Sequence, residues 1–156
     1  MSGEGAVEIR RRLSAPVDEV FRWWTEADLL RQWMSPVGEV EATVDLRVGG
    51  SFRIVMAGEG MVIEHTGEFI EITRPRRLVF TWSSPFTGPD PSLVTIELEP
   101  EGHDATGLRL LHSELPRRAA DSHRGGWGAM FDRLERVLGA AAADASIHGG
   151  DVGDGD

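Results

Sequence analysis

The chain of 156 residues has no cysteine, no tyrosine, no lysine and no asparagine, so all 16 basic residues are arginines. Each absence removes a chemistry. Without Cys there is no disulfide, no thiolate nucleophile and no cysteine metal ligand. Without Lys there is no Schiff base, without Tyr no phenol acid, and without Asn no N-glycan. Catalysis would fall to His, Asp, Glu, Ser, Thr, Arg, the backbone or a bound cofactor. A GC-rich genome is the simpler account of the missing types. Positive charge is also short. There are 26 acidic residues and a net charge of −10, which argues against a binder of nucleic-acid phosphates. No apolar run approaches the roughly 18 residues of a membrane span. Residues 1–12 lack the apolar stretch of a signal peptide. The expectation is one soluble, cytoplasmic domain with enough apolar content, 40%, to build a core.

Hydrophobic periods then divide the chain. Val7, Ile9 and Leu13 alternate with charges, which reads as a strand. Pro16 opens a helix carrying Val17, Val20, Phe21 and Trp24 at helical spacing. Thr25 and Asp28 form a T-x-x-D capping box, so a second short helix is expected to start there and to end in residues 34–38. From Val40 the period becomes two. Strands are expected over 40–44, 51–56, 61–73, 78–82, 94–98 and 106–113, with a hairpin signal at Gly58-Glu59-Gly60 and a loop over 83–92. Gly67 interrupts the longest strand, which marks a bulge or a close backbone approach. Arg117 to about Gly139 reads as a long helix. Its stripe is Trp127, Met130, Phe131, Leu134, Val137, Leu138 and Ala141. Asp132 and Arg136 are spaced to pair on its outer face. Residues 140–156 carry four Asp and no Arg, and read as a disordered acidic tail. A sheet with one apolar face needs a cover. The pattern predicts an α+β helix-grip: a curved antiparallel sheet of six to seven strands wrapped around the long helix, two short helices after strand one, and an internal cavity.

Particular residues add a resemblance. The stretch Ser14-Ala15-Pro16-Val17-Asp18-Glu19-Val20-Phe21-Arg22 resembles the opening of START-like (SRPBCC) domains. Leu30-Arg31-Gln32-Trp33, the stretches 45–53, 67–72 and 77–82, Leu111-His112 and Gly126-Trp127 resemble the branch named for activators of the heat-shock-protein-90 ATPase. The resemblance covers about residues 6–139, taken as a START-like domain. It implies a ligand cavity. Members of the superfamily bind lipids, plant hormones or polyketides, and some catalyse cyclisation or act as resistance proteins.

Candidate residues follow from strand parity. Phe52, Ile54, Met56, Phe80, Trp82 and His112 are expected to point inward, with Trp127, Met130, Phe131 and Leu134 facing them from the helix. All of them also suit a plain core. His112 is the polar position best placed to orient a ligand or move a proton, although a satisfied core histidine is the stronger reading. His65 is a second candidate whose face depends on the bulge at Gly67. Arg53 and Glu68 are read as solvent-side. His65, His103, His112, His123 and His148 show no metal-binding spacing, and no phosphate loop is present; neither metal nor cofactor is expected. Gly125, Gly126 and Gly128 are read as letting the sheet approach the helix, with a softened, gating helix as the alternative.

The leading expectation is binding of a small hydrophobic or aromatic metabolite between sheet and helix. A cyclase- or dehydratase-type enzyme using His112 is the second. The third is an interaction module, co-chaperone-like or a homodimer through an exposed sheet edge. The lack of Tyr, Lys, Cys and Asn leaves the inner face poor in catalytic groups, which favours binding over turnover. Of the ten excess negative charges, four lie in residues 140–156, so the acidity is partly a property of the tail.

Overall fold

Alternation of apolar and polar side chains builds seven strands, and a 3.6-residue stripe builds the helix that covers them. The computed structural model describes residues 4–34, 40–58, 61–85, 87 and 89–154, with the side chains of 4, 57, 58, 61 and 141–154 outside the description. The order is β1 (Glu4–Leu13), α1 (Val17–Thr25), α2 (Ala27–Leu30), β2 (Val40–Val44), β3 (Ser51–Gly58), β4 (Met61–Thr73), β5 (Arg77–Trp82), β6 (Ser92–Glu101) and β7 (Ala105–Pro116). A short 3-10 turn (Arg117–Ala119) leads into α3 (Ala120–Asp154). All strand pairs are antiparallel, in the order β1-β7-β6-β5-β4-β3-β2. The strands from β2 to β7 form a meander, and β1 closes its far side by pairing with β7. This is the α+β helix-grip architecture that the periods predict. No described helix is long and apolar enough to cross a membrane.

Parity determines the inner face. Leu78, Phe80 and Trp82 on β5, Val94, Ile96 and Leu98 on β6, and Leu108, Leu110 and His112 on β7 are all buried. α1 adds Val20, Phe21 and Trp24 from one side of its helix, and α2 adds Leu30. Gly67 is required by space. A Cβ there would meet the Thr81 carbonyl oxygen at 2.0 Å and the Phe52 ring at 2.4 Å. The irregularity in the β4–β5 register falls just after it, between Phe69 and Glu71. His65 and Phe69 therefore share a face, and both are buried.

Four details differ from the sequence expectation. Thr25 makes no capping box: its hydroxyl donates to the Phe21 carbonyl 2.9 Å away, and α2 has no side-chain cap. Thr25 completes the last turn of α1, where its own i−4 carbonyl is the nearer acceptor. Asp132 does not go to Arg136. It accepts from Arg11 at 2.9 Å, and Glu135 accepts from the same guanidinium at 2.7 Å. α3 continues in helical form to Asp154, past Gly139 and into the segment read as a disordered tail; the alanines at 140–143 are strong helix formers. Finally, Gly125 and Gly126 meet no heavy atom within 4 Å of an added Cβ, and Gly128 meets only the Arg11 guanidinium at 3.9 Å. These glycines face open space, not a closely approaching sheet. The chain end of α2 expected in residues 34–38 falls mostly outside the described residues, as do Glu59 and Gly60 of the hairpin signal and Phe86 and Gly88 of the loop after β5.

Candidate functional site

α3 is tied to β1 and stands away from β3–β5. The Arg11 guanidinium is its fastener. It bonds Asp132 and Glu135 and lies 5.9 Å from the Phe131 ring centroid. The helix therefore closes on one side of the curved sheet and leaves a wedge on the other. In that wedge is a cleft of about 260 Å³, lined by Met56, Ile63, His65 and Trp82 from the sheet and by Ser122, His123, Gly126, Trp127 and Met130 from the first half of α3. Behind it, toward α1 and α2, lies a second space of only about 20 Å³. Its walls are Trp24, Leu30, Met34, Val44, Phe52, Ile54, Phe69, Phe80 and Trp82. Trp82 is the one residue that borders both.

A broader depression of about 670 Å³ lies elsewhere, over β1, β6 and β7. Its border is Arg10, Arg11, Arg12, Glu97, Glu99, Glu101 and Arg109 with Gly107 and Leu108. It is a shallow, ion-paired surface without aromatic walls. The smaller cleft is the better site, because ligand sites are concave and mostly apolar with few polar groups.

Two histidines face inward and end in different states. His112 is fully buried and belongs to a bonded chain. Trp127 Nε1–H donates to His112 Nδ1 at 3.0 Å. An indole nitrogen can only donate, so Nδ1 is the bare nitrogen and Nε2 carries the proton. Nε2–H then donates to Ser92 Oγ at 2.7 Å, and the Ser92 hydroxyl donates to the Trp82 carbonyl at 2.7 Å. Burial, with the nearby His123 and His65 charges adding to it, pushes the His112 pKa down to about 3. The ring stays neutral in this tautomer, with neither nitrogen free. Its bonds go to two side chains, and it does not border the cleft.

His65 is the opposite case. It is 7% exposed and borders the cleft. Its ring lies 4.8 Å from the Trp82 ring, and its Nδ1 is buried without any partner. Burial again, followed by the His123 charge, pushes its pKa down to about 4, against the opposing effect of the Ile54 and Ile63 backbone beside the ring. His123, on α3, is held by its Nδ1–H donating to the Ala119 carbonyl at 2.8 Å.

Of the other sequence candidates, Met56, Trp82, Trp127 and Met130 border the cleft, while Phe52, Ile54 and Phe80 border the inner space. Phe131 and Leu134 are fully buried in the core and border neither. Arg53 bonds Glu64 on the outer side of β3 and β4. Ile63, Ser122, His123 and Gly126 were not among the candidates. Ile63 shares the parity of His65. His123 lies one turn before Trp127 and Gly126 beside it, so helical spacing was the available signal. Ser92 was also legible, two residues before Val94 and on the same face.

With this geometry established, comparison with known proteins is direct. Residues 14–139 match the family model described as Activator of Hsp90 ATPase homolog 1-like protein. The chain belongs to this family. No curated protein sequence matches. Among solved structures, protein NE0264 from Nitrosomonas europaea is 28% identical, with a TM-score of 0.73 over 87% of this chain and 95% of that one. CalU16 from Micromonospora echinospora is 31% identical, with a TM-score of 0.68 over 85% and 73%. PFC0360w, an HSP90 activator from Plasmodium falciparum, is 32% identical, with a TM-score of 0.58 over 71% and 74%.

Proposed function

We propose that this protein binds a small, uncharged aromatic or hydrophobic metabolite in the cleft between β3–β5 and the first half of α3. The observation that carries the reading is the lining. Trp82, Trp127, Met56, Met130 and Ile63 form apolar walls, and no Asp, Glu or Arg borders the cleft. A charged ligand would enter without a counter-charge, at a high desolvation cost. Flat indole faces suit planar rings. A volume of about 260 Å³ lies just below the roughly 300–1,000 Å³ of drug-sized sites, so the favoured occupant has one or two rings.

The test is a thermal-shift and native mass-spectrometry screen of aromatic metabolites, repeated with Gly126→Leu. A Cβ at Gly126 meets open space on the cleft wall, and leucine is a better helix former than glycine. The variant is expected to keep or raise its melting temperature while losing every hit. A screen without hits, or hits unaffected by Gly126→Leu, would overturn the reading.

A cyclase or dehydratase role for His112 has less support, because both its nitrogens are engaged and it does not border the cleft. A co-chaperone role is favoured by one observation, the 32% identity to an HSP90 activator over 74% of that chain. An ATPase assay of Hsp90 with and without this protein separates it from metabolite binding. An unchanged rate removes it.

A further inference from the structure

Besides its apolar walls, the cleft is bordered by His65, Ser122 and His123. The first two offer a ligand little. His65 is buried, its Nδ1 is sealed from solvent, and the Ile54 and Ile63 backbone lies beside its ring. The Ser122 hydroxyl already donates to the Ala119 carbonyl at 3.1 Å. His123 differs from both. It is half-buried on the cleft wall, and among the described residues its Nε2 has no hydrogen-bond partner. Nor is Nε2 one of the sealed, unpartnered atoms, which are Trp24 Nε1 and His65 Nδ1. A molecule entering the cleft can therefore reach it. Nδ1 is directed one turn back, to the Ala119 carbonyl. The two nitrogens lie on opposite sides of an imidazole, so Nε2 looks away from that helical turn.

The ring is also set in place before a ligand arrives. It meets His112 edge-on, with centroids 5.1 Å apart and planes at 90°. His112 is itself fixed between Trp127 and Ser92. A side chain already held at one nitrogen and at its edge loses little freedom on binding. The chemistry of Nε2 then defines the partner. A carbonyl oxygen only accepts, so Nδ1 carries a proton. Nε2 accepts when such a ring is neutral and donates when it is charged. A ligand carbonyl would serve the charged ring alone, and an amide N–H the neutral ring alone. A hydroxyl serves both.

We propose that His123 determines the specificity of the cleft, and that its ligand is a neutral phenol of one or two rings whose hydroxyl bonds His123 Nε2 while its ring lies against Trp82 and Trp127. This rests on the cleft being a ligand site and adds the chemical class that it selects.

The experiment measures 2-naphthol and 2-methylnaphthalene by equilibrium dialysis against the intact chain, His123→Phe and Gly126→Leu. The probes share a ring system and differ in the hydroxyl. His123→Phe keeps a ring against His112 and removes both nitrogens. From the intact chain to His123→Phe, the affinity ratio should shift against 2-naphthol by about fivefold, the worth of one net hydrogen bond. A ratio taken within one variant does not depend on its folded fraction. In histidine side-chain 15N spectra, assigned with His123→Phe, the Nε2 resonance should move further with 2-naphthol than with 2-methylnaphthalene. An unchanged affinity ratio, or a resonance that answers both probes alike, overturns the proposal and leaves the cleft as a ligand site. No binding of either probe to the intact chain also overturns the proposal. Equal binding of 2-naphthol to Gly126→Leu and to the intact chain places the probe outside the cleft and removes both readings.

Discussion

Outside, a row of charges crosses five strands: Glu8 on β1, Arg109 on β7, Glu97 on β6, Arg77 on β5 and Glu71 on β4. Arg109 bonds Glu8 at 2.6 Å and Glu97 at 2.9 Å, and Arg77 bonds Glu97 and also Glu71 at 3.2 Å. Arg77 and Arg109 stand directly opposite Glu97 in the register, the favourable arrangement of cross-strand charges. Inside, the same strands carry Trp82, Phe80, His112 and their aromatic neighbours, with one bonded chain and two orphan nitrogens. The outer face is solvated and largely redundant, because Glu8, Arg109, Glu97 and Arg77 each have a second ionic partner. The inner face is dry and singular, because a group that loses its partner there has no water to turn to. Function is expected where polar groups are few and unreplaced.

The comparison can be broken at its strongest point by Trp127→Ala. It empties a fully buried site and leaves His112 Nδ1 without its donor, so a loss of about 3–5 kcal/mol is expected in urea unfolding. A loss under about 1 kcal/mol would mean the inner face is as replaceable as the outer. Acid should act next. His65 and His112 titrate near 4 and 3 when folded but near 6.5 when unfolded. Below about pH 6.5 the unfolded chain binds protons that the native state refuses, so stability falls as pH drops. Each histidine contributes up to about 1.4 kcal/mol per pH unit down to its folded value, and nothing above about pH 7. Urea midpoints measured from pH 7 to pH 4.5 check the slope, and His112→Phe should remove about half of it. Ser92→Ala leaves His112 Nε2–H without its acceptor and the Trp82 carbonyl without its donor, a loss of about 1–3 kcal/mol. The smallest effect belongs outside. Glu97→Gln weakens two half-buried pairs at the solvated face and should cost no more than about 1 kcal/mol, shrinking further in high salt. A larger, salt-resistant loss would show that the outer row acts as a network.

Much of this was readable in advance because alternation and helical spacing are local. Val94, Ile96 and Leu98 against Thr95, Glu97 and Glu99 identify a strand and its wet side before any partner is known. The inward direction of His112 and Trp82 follows from the same count. Depth does not. Parity places His112 on the inner face, leaves the face of His65 to the bulge at Gly67, and says nothing of which residue lies beside open space. The glycines of α3 show the same limit: Gly125, Gly126 and Gly128 read as a close approach of the sheet, and they face open space. The Thr25 cap failed because its nearer acceptor was a carbonyl four residues back.

The strands, the long helix and the apolar side of each were therefore set by the sequence itself, since every residue within a period reports on the same face. The cleft, the bonded state of His112 and the two unpaired nitrogens were decided only in three dimensions. Arg11 pairs β1 with α3 across 121 positions to Asp132, and a cleft remains between the first half of α3 and β3–β5. A contact so distant in sequence leaves no trace in a period of two or 3.6.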